Sequence, residues 1–138
     1  MKPPKLEKGD TIGIVSPARW LEEKSLVKTV RLLEKAGYVV KVGSAARLRE
    51  NQYAGTTDDR VKELEEMFSD KEVKAIICSR GGYGAIRVTD MINYNLIKHN
   101  PKIFVGYSDI TALHSAILKS TGLTTFHGPM LISFSDTK

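Results

Sequence analysis

Three short stretches hold residues able to do chemistry: Ser16-Pro17-Ala18, Ser79-Arg80-Gly81-Gly82-Tyr83-Gly84 and Gly106-Tyr107-Ser108-Asp109. Ser108 supports two readings. A serine just before a helical pattern caps the helix, a contribution of about 1 kcal/mol. On a sharp strand-to-helix turn with a glycine ahead of it, the same hydroxyl is exposed as a nucleophile. The G-x-S-x-G pattern of a nucleophile elbow is absent, but the mechanics are similar. In that reading the Asp109 backbone N–H sits at a helix N-terminus, where developing negative charge is stabilised. The glycines at 81, 82 and 84 free backbone N–H groups to face an anion or oxyanion. Equally, they make a tight turn that lets a helix pack on a sheet. Gly82 is the expected second donor of an oxyanion hole. The loop is not a phosphate-binding P-loop, because Gly-Lys-Ser/Thr is missing. Nor is it a dinucleotide fingerprint, because Arg87 stands where the third glycine belongs.

A serine hydroxyl needs a base. His114 is six residues past Ser108, roughly 9 Å along the same helix and on another face, so it does not reach back. His99 precedes the fourth strand, at the far edge of the sheet. His127 follows the fifth strand, at the near edge, where it either lines the cleft or bonds a turn beside Gly128-Pro129. No carboxylate clearly orients it. Arg80 either holds a substrate carboxylate or pairs with a surface acid. Ser16, Arg80, Tyr83 and His127 are the candidate substrate contacts. Cys78 closes an apolar run, where a buried inert thiol is the usual outcome.

Alternating strand and helix patterns place these stretches. Strands are expected at Thr11–Val15, Tyr38–Val42, Val73–Cys78, Ile103–Val105 and Thr124–Phe126. Leu26, Val30 and Leu33 share one face of a helix that stops near Gly37. Thr57-Asp58 begins another helix, with Val61, Leu64 and Phe68 inward. A helix runs from Ala85 to about Tyr94, with an extension or turn to Lys98. Ile110, Leu113 and Ile117 mark the next, ending near Gly122. Strands joined through helices give right-handed crossovers and a parallel sheet. The expected class is α/β, a flavodoxin-like open sheet flanked by helices. Its first, third and fourth strands are then neighbours, and the three loops open on one carboxyl edge, where ligands bind.

Composition narrows the function. The chain has 138 residues with a net charge of +5, enough for one domain with a core. Basic residues are scattered, without the concentrated stripe that nucleic acid requires. No apolar stretch approaches a membrane span, and the polar start Met1-Lys2-Pro3-Pro4-Lys5 has no apolar signal-peptide region. The single cysteine rules out an internal disulfide, which favours a reducing cytoplasm. The segment Leu131–Lys138 reads as a frayed polar tail, so the chain is expected to be the first part of a longer protein.

Four stretches taken in order resemble the LD-carboxypeptidase family of serine peptidases. They are Gly9-Asp10-Thr11-Ile12-Gly13-Ile14-Val15-Ser16-Pro17-Ala18, Arg80-Gly81-Gly82-Tyr83-Gly84, Gly106-Tyr107-Ser108-Asp109-Ile110-Thr111 and His127-Gly128-Pro129-Met130. The family includes murein tetrapeptide carboxypeptidases and microcin C immunity peptidases. The resemblance implies a two-domain serine peptidase using neither metal nor cofactor, with Ser108 as nucleophile. The backbone of Asp109 and of the glycine loop, at Gly82, would form the oxyanion hole. It also implies a cytoplasmic murein tetrapeptide as substrate, with terminal D-alanine released from an L-configured centre in peptidoglycan recycling. A homodimer is expected at full length. The family's catalytic glutamate and histidine come from a C-terminal domain, and none of His99, His114 or His127 matches that histidine. Residues 1–138 are therefore expected to form the N-terminal nucleophile domain, nearly inactive alone. The alternatives are an immunity peptidase cleaving a peptidyl-nucleotide antibiotic and a non-catalytic anion-binding module.

Overall fold

Short β-branched runs form the sheet, and the amphipathic segments between them cross over as helices. The computed structural model describes residues 1–135. In chain order, β1 (Thr11–Val15), α1 (Glu23–Lys35), β2 (Val39–Val42), α2 (Thr57–Ser69) and β3 (Val73–Cys78) are followed by two short helices, α3 (Ala85–Thr89) and α4 (Tyr94–His99). Then come β4 (Ile103–Gly106), a 3-10 turn (Ser108–Ile110), α5 (Thr111–Thr121), β5 (Phe126–His127) and α6 (Leu131–Phe134).

The strands lie in the order β2-β1-β3-β4-β5, and every pairing is parallel. The expected neighbours β1, β3 and β4 are therefore adjacent. Two apolar layers cover the sheet. Ile12, Ile14, Leu26 and Leu131 pack in one, which holds α1 and α6. Phe68, Ile76, Phe104, Leu113 and Ile117 pack in the other, with α2 through α5.

Local chemistry shifted several boundaries. Thr56, not Thr57-Asp58, caps α2: its hydroxyl accepts the Asp59 N–H at 3.1 Å, and the Asp59 carboxylate accepts the Thr56 N–H at 2.9 Å. This reciprocal pair is a capping box. The single helix expected from Ala85 is two, because Asn93 accepts the Leu96 N–H at 3.2 Å and starts α4 afresh. The fifth strand falls at Phe126–His127, one step beyond the expected Thr124–Phe126. The expected tail begins with α6, because Leu131 is fully buried beneath α1. Residues 136–138 of that segment lie outside the described residues. Among the described residues no helix is long and apolar enough to cross a membrane.

Candidate active site

β4 ends where the chain must turn back sharply. A Cβ at Gly106 would lie 2.6 Å from Ile110 Cγ2, so only glycine lets the following turn pack this close. Tyr107 stays extended, and Ser108 then enters the left-handed region at φ 59°. That conformation costs an L residue about 1–2 kcal/mol. Tyr107 holds the cap position of the 3-10 turn and Ile110 that of α5. Ser108 therefore lies inside the turn, so the reading of Ser108 as a helix cap is set aside. Its side chain is exposed.

The glycine loop after β3 presses on this turn. A Cβ at Gly81 would stand 3.4 Å from both the Asp109 nitrogen and Ser108 Cβ. Gly82 has φ 118°, and its space is taken by Arg19, whose Cδ would be 2.1 Å from a Cβ there. The Asp109 carboxylate accepts the Ala85 N–H at 3.0 Å, which ties the loop to the turn. The Asp109 N–H belongs to the first helical turn, where amides have no intrahelical acceptor.

Between the loop and the turn lies a cleft of about 150 Å³. Arg80, Gly81 and Gly82 meet Tyr107 and Ser108 there, and Met130 and Ile132 add apolar surface. Size does not single it out, because a hollow of about 220 Å³ beside Lys5 and Lys102 is larger. The convergence of a strained serine with a glycine loop does. Arg80 Nε is buried with no hydrogen-bond partner among the described residues. Desolvation, and then the nearby Arg19 charge, lower this guanidinium from its usual range.

The structure thus brings together Arg80, Gly82, Ser108 and Asp109. Ser16 does not join them. It is 0% exposed, its hydroxyl pairs with that of Ser79 at 2.8 Å, and its N–H donates to Glu63 at 2.5 Å. The expected substrate contact through its side chain is corrected: the hydroxyl is buried against Ser79, outside the cleft lining. Tyr83 is 66% exposed and stands outside the cleft lining. His127 is exposed at the carboxyl edge, its ring 6.1 Å from that of Tyr107, also outside the lining. His99 bonds the Asn95 carbonyl at 2.7 Å. Cys78 is fully buried, and burial raises its thiol well above the ordinary range.

Sequence reasoning missed two buried charged residues of α2 that brace the loops. Arg60, 1% exposed, donates to the carbonyls of Pro17 at 3.1 Å and Gly55 at 2.8 Å. Glu63, also 1% exposed, accepts the N–H groups of Ser16 and Ala45. Burial still pushes its carboxyl up to about 7. Their spacing puts both on one helical face, which was the available signal. In sequence it looks like a solvent-exposed pair.

Fold and site together define an α/β domain whose serine rides a strained strand-to-helix turn against a glycine loop. Residues 12–128 match the LD-carboxypeptidase N-terminal domain, and the chain belongs to that family. It is 49% identical over 130 residues to a probable murein peptide carboxypeptidase of Bacillus subtilis, matching 94% of this chain and 41% of that protein. It is 34% identical over 127 residues to the microcin C7 self-immunity protein MccF of Escherichia coli, covering 90% of this chain and 37% of that one. The crystal structure of an MccF-like protein from Bacillus anthracis superposes with a TM-score of 0.95 at 38% identity, over 100% of this chain and 43% of that one. The chain thus spans about two fifths of the length of these relatives.

Proposed function

We propose that this chain is the nucleophile-bearing N-terminal domain of a serine LD-carboxypeptidase that releases D-alanine from murein tetrapeptide in the cytoplasm. The observation that carries the reading is Ser108, exposed and held at φ 59° beside the glycine loop. The Ser108 hydroxyl attacks the carbonyl before the terminal D-alanine while a base removes its proton. The N–H groups of Asp109 and Gly82 receive the negative charge that develops on the carbonyl oxygen. The C–N bond breaks, the amine takes the proton, and D-alanine leaves. Water then hydrolyses the ester on Ser108. Arg80, unpartnered at Nε among the described residues, takes the substrate carboxylate, and Tyr83 and His127 flank the entrance. The glutamate and histidine of the triad come from a C-terminal domain, and the full-length enzyme is a homodimer. This chain alone is nearly inactive, because losing triad members leaves only residual catalysis.

The likeness to MccF favours a second reading, in which the substrate is a peptidyl-nucleotide antibiotic. The higher identity to the probable murein peptide carboxypeptidase supports keeping the murein reading first. A D-alanine release assay on murein tetrapeptide decides. It uses the chain alone and the chain mixed with the C-terminal part of the Bacillus subtilis relative. Release is expected only in the mixture, and it is lost in Ser108→Ala. Cleavage of a peptidyl-nucleotide but not of the tetrapeptide by the mixture would move the assignment to the antibiotic. An associated, folded mixture that cleaves neither would leave an anion-binding module.

A further inference from the structure

His114 lies six residues past the serine, well over one helical turn, and is not placed as its base, yet its ring is not idle. Nε2 lies 2.8 Å from the Gly106 carbonyl oxygen. A carbonyl only accepts, so Nε2 carries the hydrogen. Nδ1 is buried with no partner among the described residues. A hydrogen there would be buried without an acceptor, which is costly, so the ring is held in the Nε2–H form. Phe104 meets it edge to face at 5.7 Å between ring centres, and the His127 ring lies 6.3 Å away.

The bonded carbonyl is the last of β4. It also accepts the Gly128 N–H, at 3.2 Å, from the residue after β5. Two donors from two elements therefore fix the plane of the 106–107 peptide. From that plane the chain passes through extended Tyr107 to the left-handed Ser108. Such a conformation persists only where its surroundings over-determine it.

We propose that His114 is a positioning residue: its Nε2–H, together with the Gly128 amide, aims the Gly106 carbonyl and so holds Ser108 in its strained pose. The functional consequence rests on the reading of Ser108 as nucleophile, but the geometric one does not. His114 does not line the cleft that holds Ser108.

The test begins with the ¹⁵N-labelled chain, without turnover. Long-range imidazole spectra should show His114 as the Nε2–H tautomer. His114→Leu keeps the bulk and removes the donor, and should shift the amides of Tyr107, Ser108 and Asp109. His114→Gln presents an amide nitrogen where Nε2 stood and should restore those shifts. A merely space-filling histidine predicts that Leu leaves those amides where they stand in wild type. If Leu does not fold, the wild-type tautomer and the Gln spectrum still decide. In the two-part assay, His114→Leu should lower kcat by about 10–100-fold at nearly constant KM, with most of the loss recovered in Gln. An Nδ1–H tautomer overturns the proposal, and so do unmoved elbow amides in Leu. Expected spectra with neither tetrapeptide nor peptidyl-nucleotide cleaved by the wild-type mixture would sink the peptidase reading and leave the positioning role standing.

Discussion

At Ser108 the backbone carries strain that a glycine would not feel. A left-handed serine costs about 1–2 kcal/mol, partly offset on replacement because glycine is freer in the unfolded chain. Ser108→Gly should therefore stabilise the chain by about 0.5–1 kcal/mol, read as a higher urea midpoint at unchanged slope. An unchanged or lower midpoint would mean that the turn is relaxed and that the strain has no part in presenting the hydroxyl. That Ser108 and Arg80 lie at one cleft was legible from residue type and neighbours. Ser16 was misread because a serine after a strand looks the same in sequence whether its hydroxyl meets solvent or, as here, the buried hydroxyl of Ser79.

The helices show where local rules suffice and where they compete. α1 and α5 followed the spacing of their apolar residues. The start of α2 offered four polar residues in a row, Thr56-Thr57-Asp58-Asp59, each able to begin a helix, and only the backbone shows that Thr56 and Asp59 form the reciprocal pair. Removing that hydroxyl in Thr56→Ala should cost about 1 kcal/mol. Chemical denaturation should show a lower midpoint. An equal loss in Thr57→Ala, with none in Thr56→Ala, would reassign the cap. The same competition explains α3 and α4. α3 stops at Thr89 with Asp90 as its cap, and Asn93 caps the next helix, a break that apolar periodicity does not register.

Across the whole molecule, α2 braces the loops of the carboxyl edge through Arg60 and Glu63. The Glu63 carboxyl, ordinarily near 4.5, is pushed up to about 7 by desolvation, even though backbone N–H groups of Ser16 and Ala45 favour its charge. Between those values the folded chain keeps a proton that the unfolded chain has released. Stability drawn from this group is therefore greatest at low pH and falls as pH rises through the window. Glu63→Gln does not titrate. The stability advantage of wild type over Glu63→Gln should shrink as pH rises from about 4.5 to about 7, by at most roughly 3 kcal/mol. Denaturation of both proteins across that range checks it. A difference flat with pH would show that Glu63 titrates normally.

Sequence alone determined the succession of strands and helices, the parallel sheet and the three loops on one edge. Those follow from local periodicity and from the handedness of crossovers, which act over a few residues or apply to every such fold. The stretches from Gly9 to Met130 were also specific enough to carry the family. The tertiary structure decided which residues share the cleft. That depends on contacts between elements far apart in the chain: Gly81 against Asp109, Glu63 beneath Ser16, and His114 on the carbonyl of Gly106. A side chain's burial and its hydrogen-bond partner are set by whatever packs over it, and no spacing along one element encodes that.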